Sequence, residues 1–65
     1  MKIKNLDFLV NYNTQVHILV DYTNQLKDTT EYKGIYGQIP PYIRTADIET
    51  IYPNDKAIGI RASKP

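Results

Sequence analysis

Residues 15–22 read QVHILVDY. Val16, Ile18, Val20 and Tyr22 alternate with Gln15, His17, Leu19 and Asp21, the period-two pattern of a strand with one strongly apolar face. Leu19 keeps the second face from being wholly polar. An apolar sheet face has to be covered by another element of the same small chain. The preceding segment supplies the cover. Ile3, Leu6, Leu9 and Val10 recur at helical spacing, with Asp7 facing away and Phe8 off the stripe. Residues 3–11 are expected to form a short amphipathic helix, ended by the Asn-Tyr-Asn of 11–13. A helix this short is unstable alone and has to dock on the strand.

On the C-terminal side, TNQLKDTT (23–30) is a polar connection longer than a two-residue hairpin turn. A second strand is expected near 30–37. Tyr32, Gly34 and Tyr36 share one of its faces and Lys33, Ile35 and Gly37 the other, and neither face is cleanly apolar. Glycine inside a strand often marks a bulge, which is the expectation here, and the buried face stays open. In IPPYIRT (39–45), proline cannot donate to a ladder but suits a first helical turn. Pro41 is expected to open one turn over 41–45, with Ile39 and Ile43 pointing inward. The last third reads as a hairpin. Ile48, Ile51 and Tyr52 belong to one strand, Pro-Asn-Asp (53–55) to the turn, and Ala57–Ala62 to the return strand. There Ile58 and Ile60 alternate with Gly59 and Arg61. The terminal RASKP is expected to fray.

The expected fold is therefore α+β. A short N-terminal helix packs on a small antiparallel sheet of three to four strands, with one short helical turn before the last hairpin, all in a single domain over 1–65. A small SH3-like barrel with an N-terminal helix is the alternative. Tyrosines at 12, 22, 32, 42 and 52 are ten apart, but their neighbours share little, and one strand plus one turn gives the same spacing.

Sixty-five residues bury only about 60% of their unfolded surface, which makes the core marginal. With no cysteine, neither disulfides nor thiolate metal sites exist, and His17 is the lone histidine. Self-association, as a homodimer, is the remaining way to add stability. The cysteine-free composition suits the cytoplasm. No apolar run approaches the roughly 20 residues of a membrane span. MKIKNLDFLV is basic then apolar, but Asn5 and Asp7 interrupt it, so it is read as part of the domain. The net charge is +1 with the signs interspersed, which gives no basic excess for large-scale phosphate binding. Lys2, Lys4, Arg61 and Lys64 cluster at the two ends and would form a small patch only if the termini met. Ile, Asn, Lys and Tyr supply 26 residues, a bias toward A/T-rich codons seen in many low-GC bacteria and their phages.

The order KIKNLDFLV, VHILVDY, YKG, IPPYI, DIETIYP and AIGIRA resembles small proteins encoded by phages and prophages of Firmicutes. The resemblance spans most of the chain, and its marks are structural. It implies a context: small phage accessory proteins that engage a host protein, some of them inhibiting a bacterial defence system. It brings no catalytic, cofactor or metal residues with it.

The candidate chemistry is sparse. GIYG (34–37) lacks the third glycine of a dinucleotide loop and the Lys-Ser/Thr of a P-loop, so its glycines read as shape. His17 and Asp21 lie on one strand face about 13 Å apart and cannot pair. Asp47 and Glu49 are a same-face pair about 7 Å apart, read as surface charge. Tyr32, Tyr36 and Tyr42, with Lys33 and Arg44 beside them, are the candidate partner-binding set. Tyr and Arg are enriched at protein interface hot spots. The same residues could stack single-stranded bases, which is the alternative of a small nucleic-acid-binding protein. A virion or assembly component is the third reading. The leading expectation is a binding protein for a host protein, not an enzyme and not membrane-bound.

Overall fold

The computed structural model describes residues 1–65. A 3-10 helix, Ile3–Phe8, is followed by strand β1, Gln15–Tyr22, and strand β2, Thr30–Ile35. A 3-10 turn, Tyr36–Gln38, and a short helix α1, Pro41–Arg44, lead to β3, Asp47–Asn54, and β4, Ala57–Lys64. The strands form one sheet in the order β2-β1-β4-β3. The α+β class read from the alternation is the observed one, with the helical segments layered on one sheet face.

The sheet is mixed, which corrects the all-antiparallel expectation. β1–β2 and β3–β4 are antiparallel, but the central pair β1–β4 is parallel. The alternation fixes which residues share a face; it says nothing about strand direction. Direction is set by residues 36–46, which do not turn back beside β2. They cross the covered face from one edge of the sheet to the other, so β3 runs in the same sense as β2 and β4 returns beside β1.

That crossing also builds the core. Val16, Ile18 and Val20 are buried on β1 and lie beside Ile58, Ile60 and Ala62 of β4. Ile3 and Leu6 pack onto them from the N-terminal helix, and Tyr36, Ile39, Ile43 and Ala46 from the crossing segment. Pro41 stands in the first turn of α1, and Ile39 and Ile43 point inward, as their spacing predicts. The N-terminal helix is 3-10 and ends at Phe8, so its apolar stripe is cut short: Ile3 and Leu6 are buried, while Leu9 is exposed.

Three further expectations change. The β1–β2 register runs unbroken from Gln15↔Ile35 to Val20↔Thr30, so the glycines of 34–37 make no bulge there. The bulge lies in β3, between Ile48 and Thr50. Gly34 instead clears room for the Tyr32 ring, since a Cβ there would sit 2.8 Å from the Tyr32 hydroxyl. The last turn is a two-residue hairpin between Asn54 and Ala57, with Asp55 at φ 57°, a left-handed position that Asp tolerates better than most residues. Ser63 and Lys64 do not fray. They pair with Asp21 and Tyr22, and the Lys64 carbonyl accepts from Thr23 N–H at 2.8 Å.

Candidate interaction surfaces

The five residues expected to form a partner-binding set are not brought together. Tyr36 is wholly buried. Its hydroxyl lies 2.6 Å from Asp7 Oδ1 and 3.0 Å from the Ile3 carbonyl, and one hydroxyl hydrogen serves both acceptors. Arg44 donates to Asp7 Oδ2 at 2.7 Å, with its guanidinium 5.8 Å from the Tyr36 ring centre. Tyr36, Asp7 and Arg44 therefore form a clamp that joins the crossing segment to the N-terminal helix. The Tyr36 hydrogen bond first, then Arg44, holds the Asp7 carboxyl below its usual range. Burial first, then Asp7, pushes Tyr36 up to about 12. Asp7 also raises Arg44. Tyr32 is half-buried on the covered face, where its hydroxyl donates to the Ile35 carbonyl at 2.7 Å. Lys33 is on the opposite face, and Tyr42 is 54% exposed on α1.

The uncovered sheet face carries a polar network around His17. Its Nε2 lies 2.7 Å from Glu31 Oε2 and its Nδ1 2.8 Å from Asn54 Nδ2. An Nε2–H tautomer satisfies both, donating to Glu31 and accepting from Asn54. Both ring nitrogens are engaged within the chain. The hydrogen bond from His17 holds Glu31 below its usual range. Asp21 does not reach His17, as the spacing predicted. It accepts from Thr29 at 2.8 Å and pairs with Arg61 at 3.0 Å, and the Thr29 hydrogen bond is the main reason its carboxyl is lowered. The Tyr52 ring lies across Gly59, where an added Cβ would collide with it.

The remaining charged candidates disperse. Asp47 pairs with Lys2 at 3.0 Å, while Glu49, the extra residue of the β3 bulge, has no partner on β4. Three basic residues of the two ends are held by separate partners: Lys2 pairs with Asp47, Arg61 with Asp21, and Lys64 bonds the Tyr42 carbonyl and Thr45 hydroxyl. No cluster of three or more His, Asp or Glu side chains is positioned to hold a metal ion. No helix is long and apolar enough to cross a membrane.

A concavity of about 550 Å³ opens at the carboxyl ends of β1 and β4, lined by residues that include Tyr22, Gln25, Lys27, Tyr42 and Lys64. Its polar groups are mostly spent on the chain itself. Lys64 bonds Tyr42 and Thr45, Gln25 donates to the Pro65 carbonyl at 2.7 Å, and Tyr22 bonds Thr30 at 2.7 Å. Lys27 rests over the Tyr22 ring at 4.6 Å. The concavity is a joint that ties the 23–29 connection to the strand ends.

Leu26, alone on the 23–29 connection, and Met1 are exposed apolar side chains, but the longest run of them lies elsewhere. Phe8 is 91% exposed, Leu9 77% and Tyr12 61%. They follow one another where the N-terminal helix gives way to β1. The base beneath them is tied into the fold. Leu9 and Val10 N–H groups both bond the Leu6 carbonyl, the Tyr12 carbonyl accepts from Gly37 N–H at 2.9 Å, and the Tyr12 ring stacks on Tyr36 at 6.3 Å. Phe8 lies off the helical stripe in the sequence, which is the one signal that it faces outward; Leu9 shares the spacing of that stripe, so nothing local announces its exposure.

No protein-family model matches the chain, and no match was found among curated proteins or solved structures.

Proposed function

We infer that the chain is a small protein-binding domain that docks a partner protein through the ledge of Phe8, Leu9 and Tyr12. In the phage or prophage setting that the resemblance implies, the partner is a host protein, and blocking a host defence system is the role that follows. The observation that carries this reading is the exposure of Phe8 and Leu9 in a domain with a marginal core. Burying such side chains stabilises by about 1.5–3 kcal/mol each, and here that gain is open to an intermolecular contact. Tyr12, held by its stacking on Tyr36 and its backbone bond to Gly37, adds an aromatic anchor that loses little entropy on docking.

The test is affinity capture from a Firmicutes lysate with the wild-type chain and with Phe8→Ser/Leu9→Ser. Both changed residues are exposed, so the double variant keeps the wild-type circular dichroism spectrum. The wild type retains a stoichiometric protein that the variant loses. Equal retention by both, or recovery of nucleic acid in place of protein, overturns the reading.

A further inference from the structure

The two edges of the sheet are not alike. At the β3 edge, pairing is blocked in three ways. A bulge breaks the strand between Ile48 and Thr50, Pro53 lacks an N–H, and the N-terminal segment covers the start. There Ile48 N–H donates to the Met1 carbonyl, Ile3 N–H donates to the Ala46 carbonyl, and Lys2 bridges Asp47. These are the devices by which proteins protect an edge. β2 has no bulge, no proline and no covering segment.

The ladder shows which groups of β2 are free. Tyr36 N–H donates to the Thr14 carbonyl, in step with the β1–β2 register, so the even-numbered residues of β2 face β1. On the other side of β1 the odd-numbered residues face β4, as the bond from Thr23 N–H to the Lys64 carbonyl confirms. Glu31 and Lys33 therefore direct their backbone N–H and C=O groups outward. The next outward carbonyl, that of Ile35, is already capped by the Tyr32 hydroxyl at 2.7 Å. The free stretch is thus short and bounded.

We propose that β2 is a self-pairing edge, and that its occupant is a second copy of this chain, added antiparallel about a two-fold axis at Tyr32. This register sets Glu31 opposite Lys33 of the partner subunit, and Lys33 opposite the partner's Glu31. It is the antiparallel register that places both outward-bonding residues opposite each other, and it gives four backbone hydrogen bonds. It also sets opposite charges face to face twice, on the same side of the sheet, where Glu31 keeps Oε2 on His17 and turns Oε1 to the partner's Lys33. An antiparallel edge contact between identical strands is isologous and closes at two subunits. A net charge of +1 adds almost no repulsion between copies. Two four-stranded sheets become one continuous sheet, with Tyr32 facing the partner's Tyr32 at its centre. The two residues of the expected partner-binding set on β2, Tyr32 and Lys33, both serve this contact.

The contact is small, so the association is weak and is read by sedimentation equilibrium from micromolar to millimolar concentration. The mass of the wild type rises from 7.5 kDa toward twice that value. Lys33→Glu and Glu31→Lys each set like charges opposite one another at two places and weaken association roughly tenfold or more. The charge-swapped Glu31→Lys/Lys33→Glu restores it. Circular dichroism establishes that each variant is folded, and amide NMR of the wild type locates the contact by concentration-dependent shifts at Glu31 and Lys33. A wild type that stays at 7.5 kDa, single variants that associate like the wild type, a swap that fails to recover, or unmoved amides at both positions each overturn the proposal. The charge variants and the amide shifts report on β2 and not on Phe8 or Leu9, so failure here and failure of the ledge are distinguishable.

Discussion

Replacing Tyr36 by Phe removes one oxygen from the centre of the clamp and leaves the ring in place. The hydroxyl is buried and donates to an ionised carboxylate at 2.6 Å. Hydrogen bonds to charged groups contribute about 1.5–3 kcal/mol. Asp7 keeps Arg44 and is partly open to water, which places Tyr36→Phe toward the lower end, about 1.5–2 kcal/mol. A 65-residue chain has a total stability of roughly 3–10 kcal/mol, so one atom removes a large fraction of it. Urea unfolding followed by far-ultraviolet circular dichroism measures the loss, since the chain has no tryptophan. The midpoint falls while the slope is unchanged, and melting drops by roughly 6–16 °C. In an Asp7→Asn background the same substitution costs less than half as much, because the charged acceptor is already gone. A loss below about 0.5 kcal/mol, or full additivity with Asp7→Asn, refutes the clamp as a determinant of stability.

The pH dependence has two arms with opposite origins. Asp7, Asp21, Glu31 and Asp47 are all held below their ordinary values, 3.8 for the aspartates and 4.5 for Glu31. Between the folded and ordinary values the unfolded chain binds more protons, so stability is present above about pH 4.5 and is lost as pH falls through the folded values. Tyr36 acts in the other direction: its folded value of about 12 lies above the ordinary 10.0. Its contribution is complete below pH 10 and is lost as pH rises toward 12. Ultraviolet titration of the folded protein shows a late step that Tyr36→Phe removes; a urea midpoint that stays flat through both windows contradicts the assignment. At Gly59, alanine drives a Cβ into the Tyr52 ring and costs about 1–3 kcal/mol, and Tyr52→Ala relieves that specific cost. Equal costs of Gly59→Ala with and without the Tyr52 ring would show that the ring does not occupy this position.

Much of the fold was legible because it depends on local alternation. QVHILVDY fixed a buried face, AIGIRA its neighbour, and Pro41 the start of a helical turn, each from the geometry of one element. Strand direction was not legible. It depends on where residues 36–46 travel, and a crossing segment and a return turn use the same residue types. The five residues of the expected partner-binding set are dispersed for a related reason. Tyr32, Tyr36 and Tyr42 are near in sequence, but one edges the sheet, one enters the core and one rides on α1. The acceptor that makes Tyr36 a core residue is Asp7, a contact across almost half the chain that no local pattern announces. Lys33 and Tyr32 became informative only once the ladder showed which backbone groups β2 leaves free.

The same clamp explains why the ledge faces outward. In a 3-10 helix successive side chains are about a third of a turn apart, so three consecutive residues divide the circumference among them. Leu6 takes the direction of the sheet and is buried. Asp7 is drawn toward Tyr36 and Arg44 of the crossing segment. The one direction left for Phe8 is solvent. Turning Phe8 inward would expel either Leu6 from the core or Asp7 from its two donors, and each of those losses offsets what burying one phenylalanine returns. Leu9 is the capping residue just beyond the last helical turn, with its N–H on the Leu6 carbonyl. The exposure of Phe8 is thus a consequence of how the N-terminal helix is fastened, and Leu9 is exposed where that helix ends. A partner that covers them meets a surface already fixed in place, with no helix to reorganise before docking.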